Sequence, residues 1–90
     1  MKKIDPNKEA FNKIVGKNVR AIRLKKNLTI EQLSGKSGVD ATTIHSIELG
    51  KRGASAYTLA RLAKGLGLKN PAPFFDGTME ILPVNEDTSR

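Results

Sequence analysis

Apolar side chains at Phe11, Val15, Val19 and Ile22 follow one another at spacings of four, four and three. That rhythm lays one stripe along a helix, and Ile14 and Leu24 widen it. The sequence predicts this first helix over residues 6–26. Asp5 stands where a cap accepts N–H groups of the first turn, and Pro6 takes the first helical position, where a missing N–H costs nothing. Gly16 is the weak point of the interior, at about 1 kcal/mol relative to Ala. Lys25, Lys26 and Asn27 read as a stop: cations beside the last carbonyls, then a residue that tolerates the left-handed conformation.

Three shorter helices follow by the same logic. Thr29, with Gln32 three residues on, forms a capping-box pair for a helix over residues 30–37. Gly38-Val39-Asp40 interrupts it, and Asp40 caps a third helix over residues 41–49 with Ile44 and Ile47 inward. Gly50 ends that helix, and Lys51-Arg52-Gly53 is an exposed loop. Ser55 caps a fourth helix over residues 56–66, with Leu59, Leu62, Ala63 and Leu66 inward and Gly67 as its terminal glycine. Pro71–Phe75 has the character of one more helical turn. Thr78-Met79-Glu80-Ile81-Leu82 has the character of a short strand, and the polar residues 85–90 that of a disordered end. The class is therefore all-α. Residues 1–10 form an N-terminal extension and the start of the first helix, residues 11–75 the domain, and residues 76–90 an acidic tail that is flexible or contacts a partner or its twin across a dimer.

Composition narrows the function. Ninety residues hold one core, and without Cys there is neither a disulfide framework nor a thiolate metal site. One His and scattered carboxylates assemble no metal site and no nucleophile–base pair, so no metal, cofactor or enzymatic activity is expected. No run approaches the ~18 apolar residues of a membrane span. Met1-Lys2-Lys3 is followed by Ile4-Asp5-Pro6-Asn7, where a secretory signal needs an apolar stretch. The expectation is a cytoplasmic protein without membrane association. Sixteen Lys and Arg against nine Asp and Glu leave a charge of +7, which favours a polyanion, nucleic acid first. The charge is uneven: residues 1–26 and 51–69 are strongly basic, residues 27–50 nearly neutral, and residues 70–90 acidic.

Two short helices joined by a three-residue turn with glycine are the helix-turn-helix arrangement. Ser34 supplies a small residue at the crossing, Gly38 accepts the positive φ of the turn, and Leu33, Val39, Ile44 and Ile47 lie beneath. Ser37 is off-pattern, in a slot where an apolar residue is expected.

Over residues 16–68 the chain resembles the lambda-repressor/Cro-type (XRE-type) helix-turn-helix family. The resemblance rests on Gly16-Lys17-Asn18-Val19-Arg20-Ala21-Ile22-Arg23, Leu28-Thr29-Ile30-Glu31-Gln32-Leu33-Ser34, Gly38-Val39, Thr43-Ile44 and Ile47-Glu48. It continues through Gly50-Lys51-Arg52, Leu59, Leu62-Ala63 and Leu66-Gly67-Leu68. It implies a five-helix, lambda-repressor-like DNA-binding domain with its motif at residues 29–49. It also implies sequence-specific binding of double-stranded DNA, commonly by a homodimer on a palindromic operator, with transcriptional regulation as the outcome.

The resemblance carries roles residue by residue. The third helix enters the major groove, its N-terminal end toward the base edges. Ala41, Thr42, His45 and Ser46 are then the base-reading positions. Lys17, Thr29, Thr43, Lys51 and Arg52 are candidate backbone anchors. Ile30 stands where family members often have Gln, which leaves its backbone N–H for a phosphate. Arg23 and Glu48 match the family's structural ion pair, with a place close to a phosphate as the second role open to Arg23. Phe74 and Phe75 are either core plugs or dimer contacts. Lys2, Lys3, Lys8 and Lys13 read as a solvated or steering surface. Two readings follow. The first is a repressor or autoregulatory controller from a phage, mobile element or restriction–modification system. The second is an antitoxin-like module that binds a partner protein through the tail and autoregulates its operon.

Overall fold

The computed structural model describes residues 5–84. Four α-helices, α1 (Pro6–Lys25), α2 (Ile30–Ser37), α3 (Ala41–Glu48) and α4 (Ala56–Gly65), are followed by two 3-10 turns, Ala72–Phe75 and Met79–Ile81. The fifth helical segment is thus a single tight turn.

Each start is made by the predicted cap. Asp5 Oδ1 accepts from Asn7 N at 3.0 Å and Lys8 N at 3.3 Å. Thr29 Oγ1 accepts from Gln32 N at 3.0 Å while Thr29 N donates to Gln32 Oε1 at 2.8 Å, a complete capping box. Asp40 and Ser55 accept from Thr42 N and Thr58 N, each at 3.0 Å. Asn27 takes φ 59° after α1 and Gly38 φ 75° after α2, the left-handed geometry that frees the chain to turn.

The core joins Val15 and Val19 of α1, Leu33, Val39, Ile44 and Ile47 of the motif, and Leu59, Leu62, Ala63 and Leu66 of and after α4. Phe74 completes it with no exposed surface. Helix α1 packs on α3 and on the first 3-10 turn, and α2 packs on α4. Leu24 departs from the expected stripe: it is 49% exposed, rotated off the face that Val15 and Val19 bury.

Two close helix approaches explain the odd small residues. A Cβ on Gly16 would overlap the Ile47 carbonyl oxygen and stand 2.8 Å from that of Glu48, so α1 touches α3 backbone to side. The mid-helix glycine is a crossing point. Ser37, the off-pattern position, is 4% exposed, and its Cβ lies 2.9 Å from where a Cβ on Gly65 would be. The slot is too narrow for a large apolar group. Burial costs the hydroxyl little, because Ser37 Oγ accepts from Val39 N at 3.1 Å.

The strand expected at 78–82 does not form. Ile81 N donates to Thr78 O and Leu82 N to Met79 O, each at 3.3 Å, and Thr78 Oγ1 donates to Phe75 O at 2.6 Å. A lone strand would leave its backbone groups without partners, whereas local bonds satisfy them within the turn. The polar end expected at 85–90 lies outside the described residues, as do Lys2 and Lys3.

Candidate nucleic-acid interface

On α3, residues advance by about 100°, so Ile44, Ile47 and Glu48 share the buried side and Thr42, His45, Ser46 and Leu49 the opposite one. Thr42 and His45 are exposed; Ala41, Thr43 and Ser46 are half-buried. Leu49, 49% exposed, belongs to the same outer face. Its position on the helical wheel was the signal for it.

Two shallow depressions flank this face. One is lined by Ile30 and Glu31 of α2 and Ala41, Thr42 and His45 of α3. The other is lined by Lys17 and Arg20 of α1, Ile30, His45 and Leu49, with Arg23 and Glu48 beneath. Ile30 and His45 belong to both, so the depressions form one furrow. Its Thr42 end carries small uncharged groups beside Glu31, and its α1 end carries two cations. Arg20 and Glu31 emerge from the tertiary arrangement: neither lies on α3, and only packing brings them beside it.

The furrow rests on a buried ion pair. Arg23 Nε donates to Glu48 Oε2 at 2.7 Å and Nη2 to Oε1 at 2.9 Å, while Nη1 donates to Leu28 O at 2.7 Å. The pair joins α1, the loop before α2, and α3. The hydrogen bonds it donates to Glu48 hold the Arg23 guanidinium above its ordinary pKa, against the opposing effect of burial. All three guanidinium nitrogens are engaged, which ties Arg23 to both α3 and the loop before α2.

The remaining predicted positions are dispersed around the furrow. Thr29 is exposed at the α2 N-terminus, its hydroxyl oxygen occupied as a cap acceptor. The N–H groups of Ile30 and Glu31, in the first turn of α2, lie outside the i→i−4 pattern. Lys51 and Arg52 are exposed on the loop after α3, which is anchored by Lys51 N donating to Ser46 O at 3.0 Å. Among the described residues no group of three or more His, Cys, Asp or Glu converges on a metal position. No described helix is long and apolar enough to cross a membrane.

Phe74 and Phe75 part company. Phe74 is fully buried and cannot touch a partner, because its ring fills the core under α1. Phe75 is half-buried, tilts against Phe11 with ring centroids 6.1 Å apart, and lines an open groove with Ile22, Ala21, Ala72 and Pro73. Asn18 fixes this region: its Nδ2 donates to Phe74 O and Asp76 O, both at 2.9 Å.

A family model described as Helix-turn-helix matches residues 19–72. An uncharacterized HTH-type transcriptional regulator, y4dJ, of Sinorhizobium fredii (strain NBRC 101917 / NGR234) is 36% identical over 60 residues, 67% of this chain and 78% of the relative. The HTH-type transcriptional repressor RghR of Bacillus subtilis (strain 168) is 44% identical over 52 residues, 57% of this chain but 38% of the relative. Among solved structures, the restriction-modification controller protein C.AhdI from Aeromonas hydrophila superposes with a TM-score of 0.70 at 30% identity, covering 73% of this chain and 98% of that one. The wild-type restriction-modification controller protein C.Esp1396I gives 0.67 at 31% identity, covering 79% and 91%. With the motif, its buried ion pair and these likenesses in agreement, the chain belongs to the XRE-type helix-turn-helix family of DNA-binding transcriptional regulators.

Proposed function

We propose that this regulator binds a palindromic double-stranded operator as a homodimer and controls transcription of a compact operon of the restriction–modification or mobile-element kind. The observation that carries the reading is the furrow across α3, whose α3 side chains are small and uncharged beside Glu31 where bases would be read, and which is cationic where a phosphate would lie. The likeness to two restriction-modification controllers supports the operon type.

In this reading Thr42 and Ser46 offer hydroxyls and methyl or methylene groups to base edges, Ala41 an apolar contact to a thymine methyl, and His45 a donor to a guanine acceptor or a phosphate. Lys17, Thr29, Thr43, Lys51, Arg52 and the Ile30 N–H position the duplex without reading it. None of the readers is an Arg or Gln, so discrimination rests on several modest contacts. Phe75 and the groove around it provide the self-complementary surface, with the recognition helices about 34 Å apart on successive major grooves.

The test is a gel shift on the DNA upstream of its own gene. A shift at micromolar protein and low salt is expected, and its absence would overturn the reading. A second reading, an antitoxin-like module bound to another protein, is favoured by the exposed Met79 (65%), Leu82 (39%) and Val84 (82%) at the C-terminal end. Co-purification of a second polypeptide from the native host would support it.

A further inference from the structure

We infer that α1 carries a track for the phosphates of one DNA strand, made by Lys13, Lys17 and Arg20. This rests on the DNA-binding reading and adds Lys13 and Arg20 to the Lys17 anchor already placed on α1. The three residues stand at i, i+4 and i+7, within about 60° of one another around the helix. They span about 10 Å along its axis, about three nucleotide steps of one strand at ~3.4 Å each, so the outer two residues stand within reach of phosphates a few nucleotides apart. All three are exposed, and none pairs with a carboxylate among the described residues, where the one ion pair is Arg23–Glu48. Glu9, one turn before Lys13, ends the stripe on one side, and Leu24, one turn after Arg20, ends it on the other.

Packing makes this more than a charged helix face. Lys13 lies against Gly50: a Cβ there would be 2.9 Å from Lys13 Cα. The stripe therefore begins beside the Lys51–Arg52 loop. At its other end Lys17 and Arg20 wall the depression that also holds His45. The three α1 cations thus lie between the start of the loop and the edge of the recognition helix. A bare steering surface has no reason to join both ends of the reading face. Arg20 is the strongest element, since its planar fork suits a phosphate bidentately.

The experiment compares the salt dependence of operator binding by the intact protein with that of Lys13→Gln, Arg20→Gln and Arg20→Lys. The controls are Lys8→Gln, on the opposite side of α1 from Lys17, and Lys64→Gln on α4, which remove the same charge elsewhere. Gln keeps the Cγ of Lys13 against Gly50, and melting curves verify that each variant folds. Lys13→Gln and Arg20→Gln should each lower the log–log salt slope by about one unit per bound protomer. The selected base motif should stay unchanged, and each variant should lose one phosphate from the ethylation-interference pattern. Arg20→Lys should keep the slope with weaker binding, and the controls should move little. Slopes for Lys13→Gln and Arg20→Gln equal to those of the controls would overturn the track while leaving DNA binding intact. Failure of the unmodified protein to bind DNA would overturn both readings.

Discussion

Arg23 and Glu48 meet in a bidentate pair buried between α1 and α3, with side chains 7% and 2% exposed. The pair fixes how the recognition helix sits on the helix that carries Lys17 and Arg20. Removing one member strands a buried charge, at about 3–5 kcal/mol, whereas replacing both by apolar groups of similar size can be nearly neutral. Glu48→Gln should therefore lose about 3 kcal/mol in urea unfolding, and Arg23→Met with Glu48→Leu should lose less than either single change. A Glu48→Gln protein as stable as the original would contradict the burial of this pair.

Gly16 and Gly35 are both helical glycines, yet they should respond to alanine with opposite sign. Nothing lies within 4 Å of a Cβ on Gly35, so Gly35→Ala should stabilise by about 0.5–1 kcal/mol through helix propensity. A Cβ on Gly16 meets the backbone of Ile47 and Glu48, which cannot swing aside. Gly16→Ala should destabilise by about 1–3 kcal/mol, as overpacking does. Parallel thermal melts would decide it, and equal effects would remove the α1–α3 crossing from the account.

Readers and anchors should separate in a selection for bound DNA. Thr42→Ala or His45→Ala should change the preferred base at one position of each half-site, by about 1–3 kcal/mol where the contact is good. Lys51→Gln or Arg52→Gln should weaken all sequences alike and reduce the salt slope. An unchanged motif with Thr42→Ala would mean that α3 does not present this face to the bases.

The two phenylalanines divide stability from assembly. Phe74→Ala should cost about 3–5 kcal/mol of folding stability, the range for emptying a buried aromatic site. Phe75→Asp should leave the monomer folded but abolish dimers in sedimentation and cooperative binding to a two-half-site operator. A Phe75→Asp protein that still dimerised would move the interface elsewhere.

Helices α1 to α4 were readable in one dimension because their caps and stripes are local. Asp5, Thr29, Asp40 and Ser55 each bond within three residues, and the i, i+3, i+4 rhythm of Val15 and Val19 or Leu59 and Leu62 needs only the helix itself. The outward face of α3 followed from the same geometry. Where two segments meet, local rules fell short. Gly16 counts as a weakness inside a helix and becomes necessary only when the Ile47 carbonyl arrives opposite it. Ser37 breaks the apolar pattern until Gly65 narrows its slot. Phe74 and Phe75 are equivalent neighbours in the chain, and the bonds from Asn18 of α1 to Phe74 O and Asp76 O hold the turn with one ring inside and one out. The supposed strand at 78–82 found no partner and folded on itself. Arg20 and Glu31 join the recognition furrow from helices other than α3, because an interface of this kind is assembled from charges that packing, rather than sequence proximity, brings together.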